Sequence, residues 1–166
     1  MGWAIRALIF LAVFTALSLS WNALRGTSAE RWVVHDATVR PAAWIANQLT
    51  PGIQARAVDS SLRAPGGGLN ILNGCEGLDA LFLLVAAFAV APLAWRWRVA
   101  GLAGGVIFVF ALNQVRILAL FYAFRSHPSA FQTLHGLVAP IGVILAVCGY
   151  FYAWLRYGAH SPTSPG

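Results

Sequence analysis

The sequence predicts an all-α integral membrane protein of about four transmembrane helices, with a small extracytoplasmic helix and a β-hairpin inserted after the first span. Two observations carry that prediction. Of 166 residues, 59% are hydrophobic and 10% charged, where a soluble domain carries about 25% charged residues, and the mean hydropathy is +0.70. Four apolar runs, 3–24, 78–95, 99–124 and 133–157, each approach or exceed the ~20 residues that cross the hydrocarbon.

The chain therefore reads as a single membrane domain, with spans over 3–24, 75–95, 98–124 and 130–157. The first run follows Arg6 in the manner of a secretory signal, but its apolar stretch exceeds the roughly 7–15 residues of a signal core. It reads as a retained anchor. Arg96 and Arg98 form a basic turn between spans two and three, and Arg156 closes span four; with Arg6 these place both termini in the cytoplasm by the positive-inside rule. Arg25 and Arg31 oppose this orientation, whereas charge in the long remainder of 25–74 counts for less.

Segment 25–74 is the extracytoplasmic insertion. Residues 30–49 set Trp32, Val33, Trp44, Ile45 and Leu49 among polar residues, with Pro41 suited to open a second short helix, and predict an amphipathic helix along the outer membrane surface. Ile53, Ala55 and Ala57 alternate with Gln54 and Arg56, the period of a strand. Asp59, Ser60 and Ser61 offer a turn, and a second extended piece runs through Gly66, Gly67 and Gly68 towards Asn73, which makes a hairpin.

All 11 basic side chains are Arg, and the net charge is +6. They are scattered through loops and helix ends and form no stripe, so nucleic acid is not an expected partner and membrane lipid is. Cys75 precedes span two and Cys148 lies midway along span four, a separation that forbids a disulfide. Cys148 is read as packing.

Cys75, Arg116 and His135 are out of place in such apolar surroundings. A rise of ~1.5 Å per residue from the inner arginines puts Cys75 and His135 at ~31 Å and Arg116 at ~27 Å. A nucleophile, an acid-base group and a fixed cation thus reach nearly one level near the outer edge of a hydrocarbon core ~30 Å thick. Asn73 as a helix cap, with Glu76 three residues later, would set Cys75 in the first turn of a helix, where backbone N–H groups favour thiolate. Arg116 must face protein or water, because such a charge near lipid costs at least ~2.5 kcal/mol. Asn113 shares its helix face, to hold substrate backbone or to orient Arg116. Asp79, four residues after Cys75 and at ~25 Å, is expected to pair with Arg116. His135 can relay protons near neutral pH. Cys75 and His135 alone are too few for a closed zinc site, Asp79 being the one third ligand to be imagined, and neither metal nor cofactor is expected.

The motifs Asn73-Gly74-Cys75-Glu76-Gly77-Leu78, Asn113-Gln114-Val115-Arg116-Ile117 and Leu134-His135-Gly136, in this order on successive spans, resemble those of the exosortase/archaeosortase family. These are membrane-embedded cysteine enzymes that process C-terminal sorting signals of exported proteins. The resemblance covers about the last hundred residues and is to the compact branch of the family. It implies Cys75 as nucleophile, His135 as acid-base and Arg116 as stabiliser of substrate or transition state. Many relatives carry a small Ser or Asn where this chain has Glu76, and a carboxylate beside a thiolate opposes ionisation.

The expected activity is that of a cysteine protease or transpeptidase, at the periplasmic face of a bacterial inner membrane, acting on exported proteins that end in a sorting signal. The thioester can pass to water or to an amine or lipid-linked acceptor. The rival reading is a non-enzymatic membrane subunit or small transporter, with Arg116, Asp79 and His135 as a polar path. A redox role for Cys75 lacks a nearby resolving cysteine.

Overall fold

A computed structural model of the chain describes residues 2–71 and 74–159. Helix α1 (Trp3–Ala23) leads into a helical run made of α2 (Ser28–Arg31), a π-helical segment (Trp32–Val39) and α3 (Arg40–Leu49). Strands β1 (Arg56–Val58), β2 (Ser61–Ala64) and β3 (Gly67–Asn70) follow, then α4 (Leu78–Val90), α5 (Trp95–Ser126), α6 (Pro128–Thr133), a second π-helical segment (Leu134–Val138) and α7 (Ala139–Ala159). The protein is mostly helical, as the composition predicts.

Among the described residues, three helical stretches are long and apolar enough to cross a membrane: Trp3–Ala23, Trp95–Ser126 and the continuous run Pro128–Gly158. The fourth expected span is the exception. Helix α4 has 13 residues, about 20 Å at 1.5 Å per residue, against the ~30 Å of a hydrocarbon core. Its limits are local. Gly77 adopts a left-handed conformation just before it, and Pro92 follows its end. Arg98 then turns back over that end: Nε donates to the Leu93 carbonyl at 3.0 Å, Nη2 to Ala91 at 2.6 Å and Nη1 to Ala89 at 3.3 Å. A guanidinium so placed satisfies carbonyls that a helix leaves open.

Short as it is, α4 is the centre of the bundle, packing on α1, α5 and α7. Leu84 and Phe88 are fully buried there, beside Val109 of α5 and Val147 of α7. The close approach of α4 to α5 depends on glycine. A Cβ at Gly105 would lie 2.4 Å from Leu84 Cδ2, and one at Gly101 2.6 Å from the Phe88 ring. Small residues let membrane helices meet at backbone distance, where van der Waals packing does what the hydrophobic effect does in water.

A second core lies at the other end of α5, whose 32 residues extend about 48 Å. There the 28–49 run and the sheet cover it, joining Val34, Val39, Ala42, Ala46 and Leu62 to Ile117, Leu118 and Phe121. Each fully buried Leu or Phe contributes about 1.5–3 kcal/mol. Polar ties fix the orientation of this cap. Gln114 Nε2 donates to the Thr38 carbonyl at 3.3 Å, and Arg125 Nη1 to the Pro65 carbonyl at 2.8 Å, across the β2–β3 turn.

The insertion departs from expectation in two ways. The sheet has three antiparallel strands, ordered β1-β2-β3 with Ala57 opposite Leu62 and Leu62 opposite Leu69, because Gly66 and Gly67 at φ +85° and +139° fold the second extended piece back on itself. The 28–49 run is continuous, Pro41 standing in the first turn of α3 and breaking nothing. Trp32 and Trp44 project from it, both exposed.

Replacing Gly105 by Leu forces apart two helices that meet at backbone distance, and overpacking of this kind costs about 1–3 kcal/mol. The expected result is a lower thermal midpoint of the purified protein in detergent. Gly142→Ala, where a Cβ meets nothing within 4 Å, leaves the midpoint unchanged.

Candidate active site

Cys75 stands in the loop between β3 and α4, bracketed by Gly74 and Gly77 at φ +85° and +82°. Other L-residues pay roughly 1–2 kcal/mol for that region. Gly77 has a second reason to be glycine, because a Cβ there would come within 2.9 Å of Asn113 Cγ. Asn113, buried on α5, is thus the floor on which the Cys75 loop rests. Its Oδ1 has no hydrogen-bond partner.

The expectation that Cys75 lies in a helical first turn is not met. Helix α4 begins at Leu78, so neither its dipole nor its N–H groups serve the sulfur. Asn73, the expected cap, lies outside the described residues. Among the described residues Glu76 caps no helix; it is buried, and its Oε1 accepts from Trp21 Nε1 of α1 at 3.4 Å. With no helix joining Cys75 to Asp79, the shared face expected of them disappears. Asp79 is exposed in the first turn of α4, and no ion pair joins it to Arg116.

Arg116 finds its partners in the loop. From its half-buried position on α5, Nη1 donates to the Gly74 carbonyl at 3.3 Å and Nη2 approaches Cys75 Sγ at 3.8 Å. Its Nε is buried without a partner. One group therefore fixes the backbone before the cysteine and sets positive charge beside its sulfur.

His135 comes from a separate element, the π-helical segment Leu134–Val138. Single widened turns of this kind are frequent at functional sites. The imidazole stacks on Phe131, ring centroids 5.5 Å apart and 2° from parallel, and its Nδ1 is buried without a hydrogen-bond partner. Cys75, Arg116 and His135 all line one narrow cleft, with Asn70, Ile71 and Leu120. The space within it for the centre of a water-sized sphere is ≈ 10 Å³, about one water molecule's worth. Asp79 is not on its walls.

Burial pushes the Cys75 thiol above its ordinary pKa; the Arg116 guanidinium pulls it back only in part, and the Glu76 carboxylate adds to the rise. This reverses the expectation of a thiolate favoured by a helix N-terminus. The balance of these effects favours thiol over thiolate. Cys148, expected to be packing, is exposed on α7.

Two residues that hold the site had no distinct role in the sequence. Gln114 ties the cap to α5, and its position as an amide in an apolar helix is a readable signal. Trp21, the partner of Glu76, has none, since an indole near the end of a span is ordinary.

The model of the transmembrane exosortase family matches residues 2–154. The chain belongs to the transmembrane exosortase family. The match takes in α1 and the cap as well as the last hundred residues that carry the three motifs, so the exosortase unit is the bundle and its cap together. No curated protein and no solved structure matches significantly.

Alkylation of Cys75 by iodoacetamide should rise with pH about a midpoint higher than that of a free cysteine. Arg116→Gln removes the one lowering charge and moves the midpoint further up, while Glu76→Gln moves it down. A midpoint indifferent to both changes contradicts this electrostatic account. Gly77→Ala, strained in backbone and pressed against Asn113, should alter the alkylation rate at fixed pH and lower the thermal midpoint.

Proposed function

We propose that the protein is a cysteine protease or transpeptidase that cleaves C-terminal sorting signals of exported proteins, with Cys75 as nucleophile, Arg116 as oxyanion stabiliser and His135 as acid-base. The observation that supports it best is the 3.8 Å approach of Arg116 Nη2 to Cys75 Sγ in a cleft that His135 also lines.

A half-buried thiol whose surroundings oppose ionisation suits a site that ionises only when substrate arrives. As the scissile carbonyl carbon meets Sγ, the thiol proton passes to His135, which later delivers it to the leaving amine. Negative charge develops on the carbonyl oxygen. The guanidinium, held in place by the Gly74 carbonyl, offers further N–H donors to that oxygen from a fixed position, so little reorganisation is needed as the charge appears. The amine departs with the apolar tail of the signal, and the rest of the substrate remains as a thioester on Cys75.

The tail of such a substrate is itself a membrane helix, so the reaction belongs at the membrane surface. In this reading both termini are cytoplasmic and the cleft faces the periplasm across a bacterial inner membrane. Asn113 acts through the loop it supports.

Co-expression with an exported protein ending in a short motif, an apolar helix and a basic tail tests the proposal. Cys75→Ser and Cys75→Ala should abolish tail removal while membrane abundance stays normal. His135→Ala should slow it by about 10²–10⁴-fold, the range for loss of a general acid-base. Arg116→Lys, which keeps the charge and loses the planar fork, should fall well below wild type. Undiminished cleavage by Cys75→Ser would discard the enzyme in favour of a non-catalytic membrane subunit.

A further inference from the structure

Strand β3 is an edge of the sheet, and two of its residues, Leu69 and Asn70, line the cleft with Cys75, Arg116 and His135. The register sets Leu62 opposite Leu69 and Ser61 opposite Asn70, and the Ile71 N–H donates to the Ser60 carbonyl at 2.8 Å. Backbone bonds of an antiparallel pair fall on every second residue. Gly67, Leu69 and Ile71 therefore bond towards β2, while the N–H and C=O groups of Gly68 and Asn70 point away from the sheet. No other described residue bonds to them there.

The opposite edge is treated differently. Just before β1, Asn47 Nδ2 donates to the Ala55 carbonyl at 2.8 Å and its Oδ1 accepts from the Ala55 N–H at 2.9 Å. The 28–49 run also packs on β1. Covering an edge in this way, or blunting it with charge or proline, prevents unwanted pairing. Strand β3, Gly-Gly-Leu-Asn, has neither device. A Cβ at Gly68 would lie 2.7 Å from the Leu62 carbonyl oxygen, so the strand stays bare where a second backbone can come close.

A groove of ≈ 360 Å³ runs over β2 and β3, and it shares Leu69 and Asn70 with the cleft. The cleft itself has room for about one water. Residues flanking a scissile bond must lie outside it, and the groove is continuous with it. Helix α5 gives the direction. Arg125 bonds to the β2–β3 turn and Arg116 to the Cys75 loop, about 14 Å apart along the helix. The four residues of β3 cover about 13 Å, so the strand runs from the outer end of α5 towards the sulfur.

We infer that the free edge of β3 docks the substrate, whose extended segment before the scissile bond adds as a fourth strand held by the backbone of Gly68 and Asn70. A substrate with its folded part outside and its tail in the membrane travels towards Cys75 as β3 does, so the added strand is parallel. Main-chain bonds then supply affinity, and the side chains of alternate residues meet the groove. The inference rests on the cysteine-protease reading above and names the surface by which that enzyme holds its substrate.

The test compares two variants at one position, with an exported protein ending in a short motif, an apolar helix and a basic tail as substrate. Asn70→Ala loses the side chain and keeps the N–H. Asn70→Pro loses both, at a place where the N–H faces away from the sheet and proline is tolerated. With equal thermal midpoints, Asn70→Pro should cleave with kcat/KM about 10-fold or more below Asn70→Ala, the loss lying in KM, as expected for a missing backbone bond. Equal kcat/KM in the two, or a loss confined to kcat, overturns the docking strand.

A second arm needs no variant of β3 and no turnover. Cys75→Ala in nanodiscs is mixed with a synthetic peptide of the stretch that precedes the apolar helix of the same exported protein, and amide hydrogen exchange is followed. The Gly68 and Asn70 amides should exchange at least 10-fold more slowly with peptide bound. Methylating successive backbone nitrogens of the peptide should weaken binding at every second position. Absent binding, unchanged exchange, or a methylation pattern without alternation overturns the inference, even where Asn70→Pro fails to fold. Failure of the unaltered enzyme to cleave removes the protease reading instead, while this arm still judges the edge.

Discussion

A guanidinium set deep in an apolar helix must find partners or be expelled, and the site is organised around the partners Arg116 finds. They are a backbone carbonyl and a sulfur on one short loop, at 3.3 and 3.8 Å. An ion pair would have neutralised Arg116. Because its partners carry no full charge, the cation keeps its field, and part of that field falls on the Cys75 sulfur. The same contact stabilises the charge and sets it beside the sulfur.

Support for that contact comes from helix ends and glycines. Arg98 closes the far end of α4, Gly77 opens the near end in a left-handed turn, and Asn113 lies beneath. Helix α5 carries Asn113, Gln114 and Arg116 within one turn. These residues touch, respectively, the loop below the cysteine, the cap, and the cysteine itself. Errors in the tilt of α5 would displace all three contacts together. The two cores at its ends, one around Leu84 and Phe88 and one around Leu62 and Phe121, hold that tilt.

Much of this was legible in the sequence. Apolar runs mark the long spans because burial of backbone in lipid permits only helices there, and the misplaced Cys75, Arg116 and His135 do converge on one cleft. What misled was helical continuity. An Asn-Gly-Cys-Glu-Gly stretch reads as a cap and first turn, yet Gly74 and Gly77 at positive φ make a loop of residues 74–77, and with the helix went both the expected thiolate and the Asp79–Arg116 pair. Gly66 and Gly67 likewise turned an expected hairpin into three strands. Contacts between distant segments, such as Trp21 with Glu76 or Arg125 with the Pro65 carbonyl, leave no local pattern to read.

The cap offers a last consequence. Its apolar residues are completed by Ile117, Leu118 and Phe121, which lie far downstream in the chain. During synthesis the cap therefore emerges without the surface it needs, and must wait in an open form until α5 has been made. His135, on the element after that, joins last. A nascent chain thus contains Cys75 before Arg116 and His135 have been made, so the three side chains of the cleft can meet only after α5 and the π-helical segment that follows α6 are in place.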